Sequence, residues 1–296
     1  MLRDDFGVLI LSHGRANDVK TWRTLDRIGY TGKRYIVIDD QDDQEERYRE
    51  LYGDHVIMFD KMRASRLSDV MDNDTDMRIV LYARNSCFEI AEELGLTYFL
   101  ELDDDYTTFD LRYADKGKLR AKTITDMDAL CEQMIEFLEV SGAKTVAFAQ
   151  AGDFVGGLNG GRWAQGLARK AMNSFFCKVD RPFKFLGRIN EDVNAYTMLG
   201  SRGDLFFTVT RVALVQTQTQ AAEHGLTDVY LKYGTYVKSF YSVMCCPSAV
   251  KVKMMQTRHP RVHHEVRWNN CCPMIISDRY KRAKDGEEKT DTARAS

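Results

Sequence analysis

The chain has 296 residues, 44% of them apolar and 29% charged, with four prolines and a formal net charge of −2. That is the composition of a folded globular protein of one large or two modest domains, and its near-neutral balance gives no global electrostatic case for nucleic acid. No apolar run approaches the roughly 20 residues that span a bilayer, MLRDDFGVLIL is too acidic at its start to be a signal peptide, and seven cysteines, an odd number, argue against a disulfide scaffold.

FGVLILS (Phe6 to Ser12) is a continuous apolar run, the pattern of a strand buried on both faces. ANDVKTWRTLDRIG follows with helical spacing at Val19, Trp22, Leu25 and Ile28 and ends on Gly29. RYIVIDD (Arg34 to Asp40) reads as a second strand, QDDQEERYRELYG as a charged helix closing on Gly53, and HVIMFD as a third strand. ARNSCFEIAEELG is an amphipathic helix closing on Gly95, and TYFLEL is a fourth strand. Strand–helix alternation with short connections predicts a parallel sheet covered on both faces. Neither GxGxxG nor GxxxxGK[ST] follows the first strand, so the two usual phosphate loops are missing.

DMDALCEQMIEFLEVSG (Asp126 to Gly142) predicts a helix capped by Asp126, and TVAFAQ a strand. GDFVGGLNGGRWAQG is rich in glycine and predicts a flexible loop. KAMNSFFCKV and LFFTVTRVALVQ read as strands, and TDVYLKYGTYVKSFYSVM as a helix or helix pair. The last residues, AKDGEEKTDTARAS, carry no large apolar side chain; a disordered tail is expected over 285–296. Residues 1–284 form one α/β domain in this reading, parallel through 1–105 and more antiparallel through 106–284.

In open α/β sheets, ligands bind outside the carboxyl ends of the strands. Those ends carry SHGR (Ser12 to Arg15), then Asp39 and Asp40, then Asp60, then Asp103, Asp104 and Asp105. The aspartate triplet is either a solvated turn or a cation site. Strand alternation would project Asp103 and Asp105 to one side and Asp104 to the other, and hard oxygen ligands of this kind suit Mg²⁺ or Mn²⁺. GRINEDVNAY places Glu191 and Asp192 together, either as acids at a helix start or as a general base and its neighbour. TRHPRVHHEVRW carries His259, His263 and His264, with no C-x₂₋₄-C pair ahead of them for a zinc finger. ARNS (Ala83 to Ser86) opens a helix, where Arg84 could meet an anion. The vicinal pairs Cys245–Cys246 and Cys271–Cys272 read as buried thiols. From Lys251 to Lys284 there are nine Lys or Arg against two acidic residues, a solvated face or a rim for a polyanion.

The order of these pieces is similar to that of GT-A glycosyltransferases: SHGR, IDD, ARN, LDDDY, NED, then a late histidine. GRINEDVNAY, QTQTQ, GTYVKSFYSVM, PSAVKV and RVHHEVRWNNCCPMII resemble the phage glycosyltransferases associated with TET/JBP-type oxygenases. The resemblance implies a GT-A fold, with a mostly parallel central sheet flanked by helices and a smaller antiparallel second half. It implies a metal-dependent, UDP-sugar-dependent hexosyl- or pentosyltransferase acting on 5-hydroxymethylcytosine in double-stranded DNA, with inversion at the anomeric carbon. A glycan, a protein or another hydroxymethylated base is the alternative acceptor.

By position, the resemblance implies that Asp39 or Asp40 reads the nucleotide base. Ser12, Arg15, Arg84, Asn85, Asp103 and Asp104 would contact the nucleotide-sugar. Asp103 and Asp105, with His263 or His264, would hold Mn²⁺ or Mg²⁺. Asp192 would be the catalytic base, with Glu191 beside it. Arg162 and Trp163 of the glycine-rich loop, with Arg258, Arg261 and Arg267, would contact DNA around a flipped base. The expected setting is the cytoplasm of a phage-infected cell, with no membrane and no stable protein partner.

Overall fold

The structure, a computed structural model, describes residues 2–216, 237–255 and 261–273. Its first part alternates strand and helix: β1 (Phe6–Leu11), α1 (Lys20–Arg27), β2 (Lys33–Asp39), α2 (Glu45–Tyr52), β3 (Val56–Phe59), α3 (Lys61–Arg66), α4 (Leu81–Glu93) and β4 (Tyr98–Asp103). The later part comprises β5 (Tyr106–Asp115), β6 (Lys118–Thr123), α5 (Met127–Ser141), β7 (Thr145–Ala149), β8 (Leu167–Ala168), β9 (Ser174–Lys178), α6 (Glu191–Ser201) and β10 (Phe206–Gln216). Beyond these lie α7 (Val237–Cys245), β11 (Val250–Met255) and β12 (Arg261–Val266).

Ten strands form one sheet in the order β3-β2-β1-β4-β9-β7-β10-β5-β6, with β8 paired to β10. β1 pairs in parallel with β2 and β4, and β2 with β3. Antiparallel β9 then joins β4 to β7, and β10 runs parallel to β7 but antiparallel to β5. This is the expected mixed α/β fold, and β11 and β12 add a separate antiparallel hairpin.

The apolar run of β1 is buried along its whole length because both faces are covered. Val8 and Ile10 join Leu25 of α1 and Leu138 of α5 in one cluster; Leu9 and Leu11 join Ile90 of α4 and Val193 of α6 in another. Period-two alternation separates the two sets, and each fully buried side chain of this size contributes about 1.5–3 kcal/mol. α5 is capped as its sequence predicts: Asp126 accepts from Ala129 N, and Gly142 ends the helix at φ 64°.

β5 and β6 form an antiparallel hairpin that no pattern in the sequence announces. Its turn residues Lys116 and Gly117 have φ of 45° and 72°, the left-handed pair that a two-residue hairpin turn requires. β6 is the outer strand, and its exposed Lys118, Arg120 and Lys122 are charges that discourage edge-to-edge pairing.

The glycine-rich loop is more structured than expected: it holds three short 3₁₀ turns, and the first is closed reciprocally by Gln150 and Asp153. The helix read in TDVYLKYGTYVKSFYSVM is described from Val237 onward; its earlier residues, and the 285–296 tail, lie outside the described residues. Cys246 and Cys271 are buried beside Ala249 and Val250, Cys245 and Cys272 are half-buried, and all are free thiols. Among the described residues no helix is long and apolar enough to cross a membrane.

Candidate active site

The carboxyl edge of β1, β2 and β4 is a polar network. A serine hydroxyl has one proton: Ser12 donates it to Asp104 Oδ2 at 2.7 Å and accepts from the Tyr48 hydroxyl at 2.7 Å. Arg15 Nη1 reaches Asp104 Oδ1 at 3.0 Å, and the Arg15 amide donates to Tyr48. Asp104 is therefore buried and turned toward the end of β1. Burial still lifts its carboxyl above the usual range, against the pull of Arg15 and Ser12.

Asp39 is similarly engaged. His13 Nδ1 lies 3.0 Å from its Oδ2 and Lys61 Nζ 3.3 Å from both oxygens. Burial opposes ionisation there, but His13 and Lys61 outweigh it and hold Asp39 below the ordinary carboxylate range. His13 is raised in turn, first by its hydrogen bond to Asp39. Asp40 accepts from the Lys61 amide at 2.9 Å. His13, Tyr48 and Lys61 were not singled out in the sequence; His13 and Lys61 could have been, since each stands beside a strand end.

Arg84 does not offer its amide at a helix start, as its motif leads one to expect. α4 starts at Leu81, two residues before ARNS, so the Arg84 amide already bonds Val80 O within the helix and is no open anion donor. Its side chain turns inward and is buried. Nε donates to Glu191 at 2.9 Å, Nη1 to Glu101 at 2.5 Å and Nη2 to Asp103 Oδ1 at 3.0 Å. One guanidinium thus joins β4 to the start of α6, and burial pushes Glu101 up to about 7. Asn85 is turned elsewhere: it exchanges hydrogen bonds with the Phe185 backbone and donates to Ser68.

β4 ends at Asp103, so strand alternation does not set the direction of Asp104 or Asp105, which form the following turn. The Tyr106 hydroxyl stands between Asp103 Oδ2, at 3.0 Å, and the Asn173 carbonyl oxygen, and its one proton can serve only one of them at a time. Asp105 is half-buried; burial first, then the charges of Asp103 and Asp104, push it up to about 7. Crowded carboxylates of this kind fit a hard divalent cation, which would relieve their repulsion.

The histidines are not gathered with them. Among the described residues no group of three or more His, Cys, Asp or Glu side chains could hold a metal ion. His264 is nonetheless in the chemical state of a ligand. Burial, then His263, Lys238 and Lys170, lower it to about 3, and its Nδ1 has no hydrogen-bond partner among the described residues. The His263 ring, also on β12, lies 4.3 Å from it between centres, tilted by 34°.

Glu191 and Asp192 open α6, and both are buried. Burial, then the neighbouring Glu191, push Asp192 up to about 7, close to the value a general base needs at neutral pH. Lys170 lies nearby and lowers Asp192; its Nζ pairs with Asp153 Oδ1 at 2.6 Å.

The residues expected to meet DNA divide. Trp163 is buried with the Arg211 guanidinium 3.7 Å from its ring centre, so it is not available to stack on a base. Arg162 lies 3.4 Å from Asp153 and over the Trp268 ring, which stacks on Tyr196. Arg267 is exposed; Arg261 sits on β12; Arg258 lies outside the described residues.

A family profile described as TET-Associated Glycosyltransferase matches residues 6–226. Among solved structures, glucosyl-3-phosphoglycerate synthase from Mycobacterium tuberculosis with Mg²⁺ and uridine diphosphate aligns at 12% identity and TM-score 0.45, covering 89% of this chain and 88% of that one. The same enzyme with Mn²⁺ and UDP-glucose aligns at 13% identity and TM-score 0.43, covering 87% and 86%. No curated protein matches.

Proposed function

The chain belongs to the TET-associated glycosyltransferase family, and from that premise we propose that it transfers a sugar from a UDP-sugar to the hydroxymethyl oxygen of 5-hydroxymethylcytosine in duplex DNA, with inversion. The observation that carries this reading is the Arg84 bridge. It ties Asp103, at the strand edge where a nucleotide-sugar would lie, to Glu191, next to the buried carboxylate of Asp192. A donor site and a base site are thereby held in one piece.

Asp192 takes the proton of the acceptor hydroxymethyl group. The oxygen bonds to the anomeric carbon as the bond from that carbon to the diphosphate breaks, and UDP departs with the electron pair. Asp192 needs its proton-accepting form within hydrogen-bond reach, and its raised carboxyl is matched to that task. Ser12, Arg15 and Asp104, joined in one network, would line the nucleotide site, and Asp39, paired with His13 and Lys61, would read the base. Asp103 and Asp105 would hold Mn²⁺ or Mg²⁺, which when bound neutralises charge on the leaving diphosphate.

Nucleoside mass spectrometry tests the reading after incubation of hydroxymethylated duplex with a panel of UDP-sugars and Mn²⁺. A hexosyl or pentosyl mass on hydroxymethylcytosine is expected. Transfer only to hydroxymethyluracil, a glycan or a protein would replace the acceptor. Retention of anomeric configuration by NMR would remove Asp192 from the role of sole base.

A further inference from the structure

Residues 69–79, between α3 and α4, carry the spacing D-x-D-x-D at Asp72, Asp74 and Asp76. The three carboxylates do not converge on an ion. Asp72 Oδ1 accepts from the Asp74 amide at 2.9 Å, Asp74 Oδ1 from the Asp76 amide at 2.9 Å, and Asp76 Oδ1 from the Arg78 amide at 3.0 Å. This ladder of turns directs backbone carbonyls inward, and a guanidinium fills the centre.

Arg188 is almost wholly buried, with its side chain 1% exposed. Its Nε and Nη2 grip both oxygens of Asp72 at 2.7 and 3.0 Å. Nη2 also donates to Asp74 O at 2.6 Å, and Nη1 to Asp76 O. A planar fork with five donors can serve four acceptors at once; a lysine ammonium has three and no fixed plane. The Tyr241 hydroxyl of α7 donates to the same Asp72 Oδ2 at 2.5 Å.

Arg188 stands four residues before Asp192, and the intervening backbone has little freedom. Gly187 and Arg188 amides donate to Asp69 O and Val70 O at 2.8 and 3.0 Å. Gly187 has φ 87°, and a Cβ there would stand 2.5 Å from Asn194 Nδ2. Asn190, the N-cap of α6, is left-handed at φ 57° and donates to Lys238 O and Ser242 Oγ of α7 at 2.6 and 3.2 Å.

The geometry points to Arg188, locked by Asp72 and through it to Tyr241 of α7, as the positioning residue that sets where the Asp192 carboxylate stands. This rests on Asp192 being the base. A base must reach its proton within hydrogen-bond distance, and a displacement of about 1 Å from a remote change can cost on the order of 100-fold in rate. The Arg188 guanidinium is committed to Asp72, Asp74 and Asp76, so it would act on Asp192 through the backbone. The competing role is purely structural: a buried ion pair that closes a loop.

The two roles separate because a buried pair can be replaced as well as broken. Removing one partner strands a charge, whereas replacing both by apolar side chains of similar size often restores stability. Four variants are compared with wild type by thermal unfolding and by transfer kinetics with saturating acceptor: Arg188→Met, Arg188→Met with Asp72→Leu, Tyr241→Phe and Asp192→Asn.

The single Arg188 variant is expected to lose both Tm and kcat. The double variant is expected to regain Tm yet keep kcat about 10–100-fold low, with KM for the UDP-sugar within about twofold of wild type. Tyr241→Phe is expected to lower kcat less, with Tm nearly unchanged. Recovery of kcat together with Tm in the double variant overturns the positioning role while leaving the base intact. Full kcat in Asp192→Asn overturns the base and the positioning role with it.

Discussion

The strands up to Asp103 pair in parallel with one another and bring their polar groups to one edge, whereas those after it pair mostly antiparallel. In the first region Ser12, Asp39 and Asp104 stand where the end of a buried strand must leave them. In the second, Asp192 stands where it does because of residues distant in sequence: Arg84 on Glu191, Asp72 on Arg188, and α7 on Asn190. A site on a strand edge is fixed by topology, while a site at a helix start needs clamps, and each clamp is a point at which it can be disturbed.

The largest effect is expected at Arg84, the cation common to both regions. Arg84→Met leaves Glu101, Asp103 and Glu191 facing one another in a buried space. Stranding buried charges typically costs about 3–5 kcal/mol, so a large drop in Tm is expected, with loss of transfer. A small change in Tm would mean that the two regions are joined by packing alone.

Next comes the pH dependence of Asp192, which sharpens the contrast because the first region's Asp39 moves the other way. Asp192 is raised to about 7, so transfer should climb as pH rises through about 7. Its share of stability runs oppositely. A carboxyl raised on folding stabilises the protein below its unfolded value of 3.8, and that share is lost as pH rises to about 7. Asp39 is depressed, so its share is present at neutral pH and is lost only as pH falls below the ordinary carboxylate range. Glu191→Gln should shift the rate limb to lower pH by less than the whole displacement, because burial is the larger cause. A limb that stays at about 7 would show that Glu191 exerts no charge on the base. Rates that are flat from about pH 5 to about pH 8 would remove Asp192 as the titrating group.

Much of the first region was legible in the sequence, and for a physical reason. Continuous apolar runs such as FGVLIL have one low-energy placement in an α/β sheet, and the polar residue that ends each run is delivered to the ligand edge. The Asp103–Asp105 triplet and the Glu191–Asp192 pair were visible as short motifs. Direction was not. Arg84 lies on a helix whose start was misjudged by two residues, and that shift converts an anion donor into a buried hub. Trp163 looked like a free aromatic in a glycine-rich loop, but Arg211, 48 positions later, covers it. The Arg188 lock pairs residues 116 positions apart, and no local pattern announces such a pair.

A smaller effect is expected where the donor edge is touched lightly. Ser12→Ala removes one charge-assisted hydrogen bond to Asp104 but leaves Arg15 on the other oxygen. Bonds to charged groups are worth about 1.5–3 kcal/mol, and the remaining partner keeps the result toward the low end. KM for the UDP-sugar should rise while the pH limb of Asp192 stays in place. A shift in that limb would show that the two regions are coupled through more than Arg84.

The smallest effect concerns the proposed contact with DNA, and it separates two arginines of the second region. Arg267 is exposed, whereas Arg162 is committed to Asp153 and the Trp268 face. Each phosphate neutralised by a protein contributes about 0.9 to the slope of log affinity against log salt. Arg267→Gln should therefore lower that slope on hydroxymethylated duplex by about 0.9, with kcat little changed once DNA is saturating. Arg162→Gln should leave the slope alone and disturb the loop that holds Asp153 near Lys170. Equal slopes in wild type and both variants would mean that neither arginine meets the backbone. A slope lost with Arg162 alone would mean that DNA enters across the glycine-rich loop and displaces the Asp153 contact as it binds.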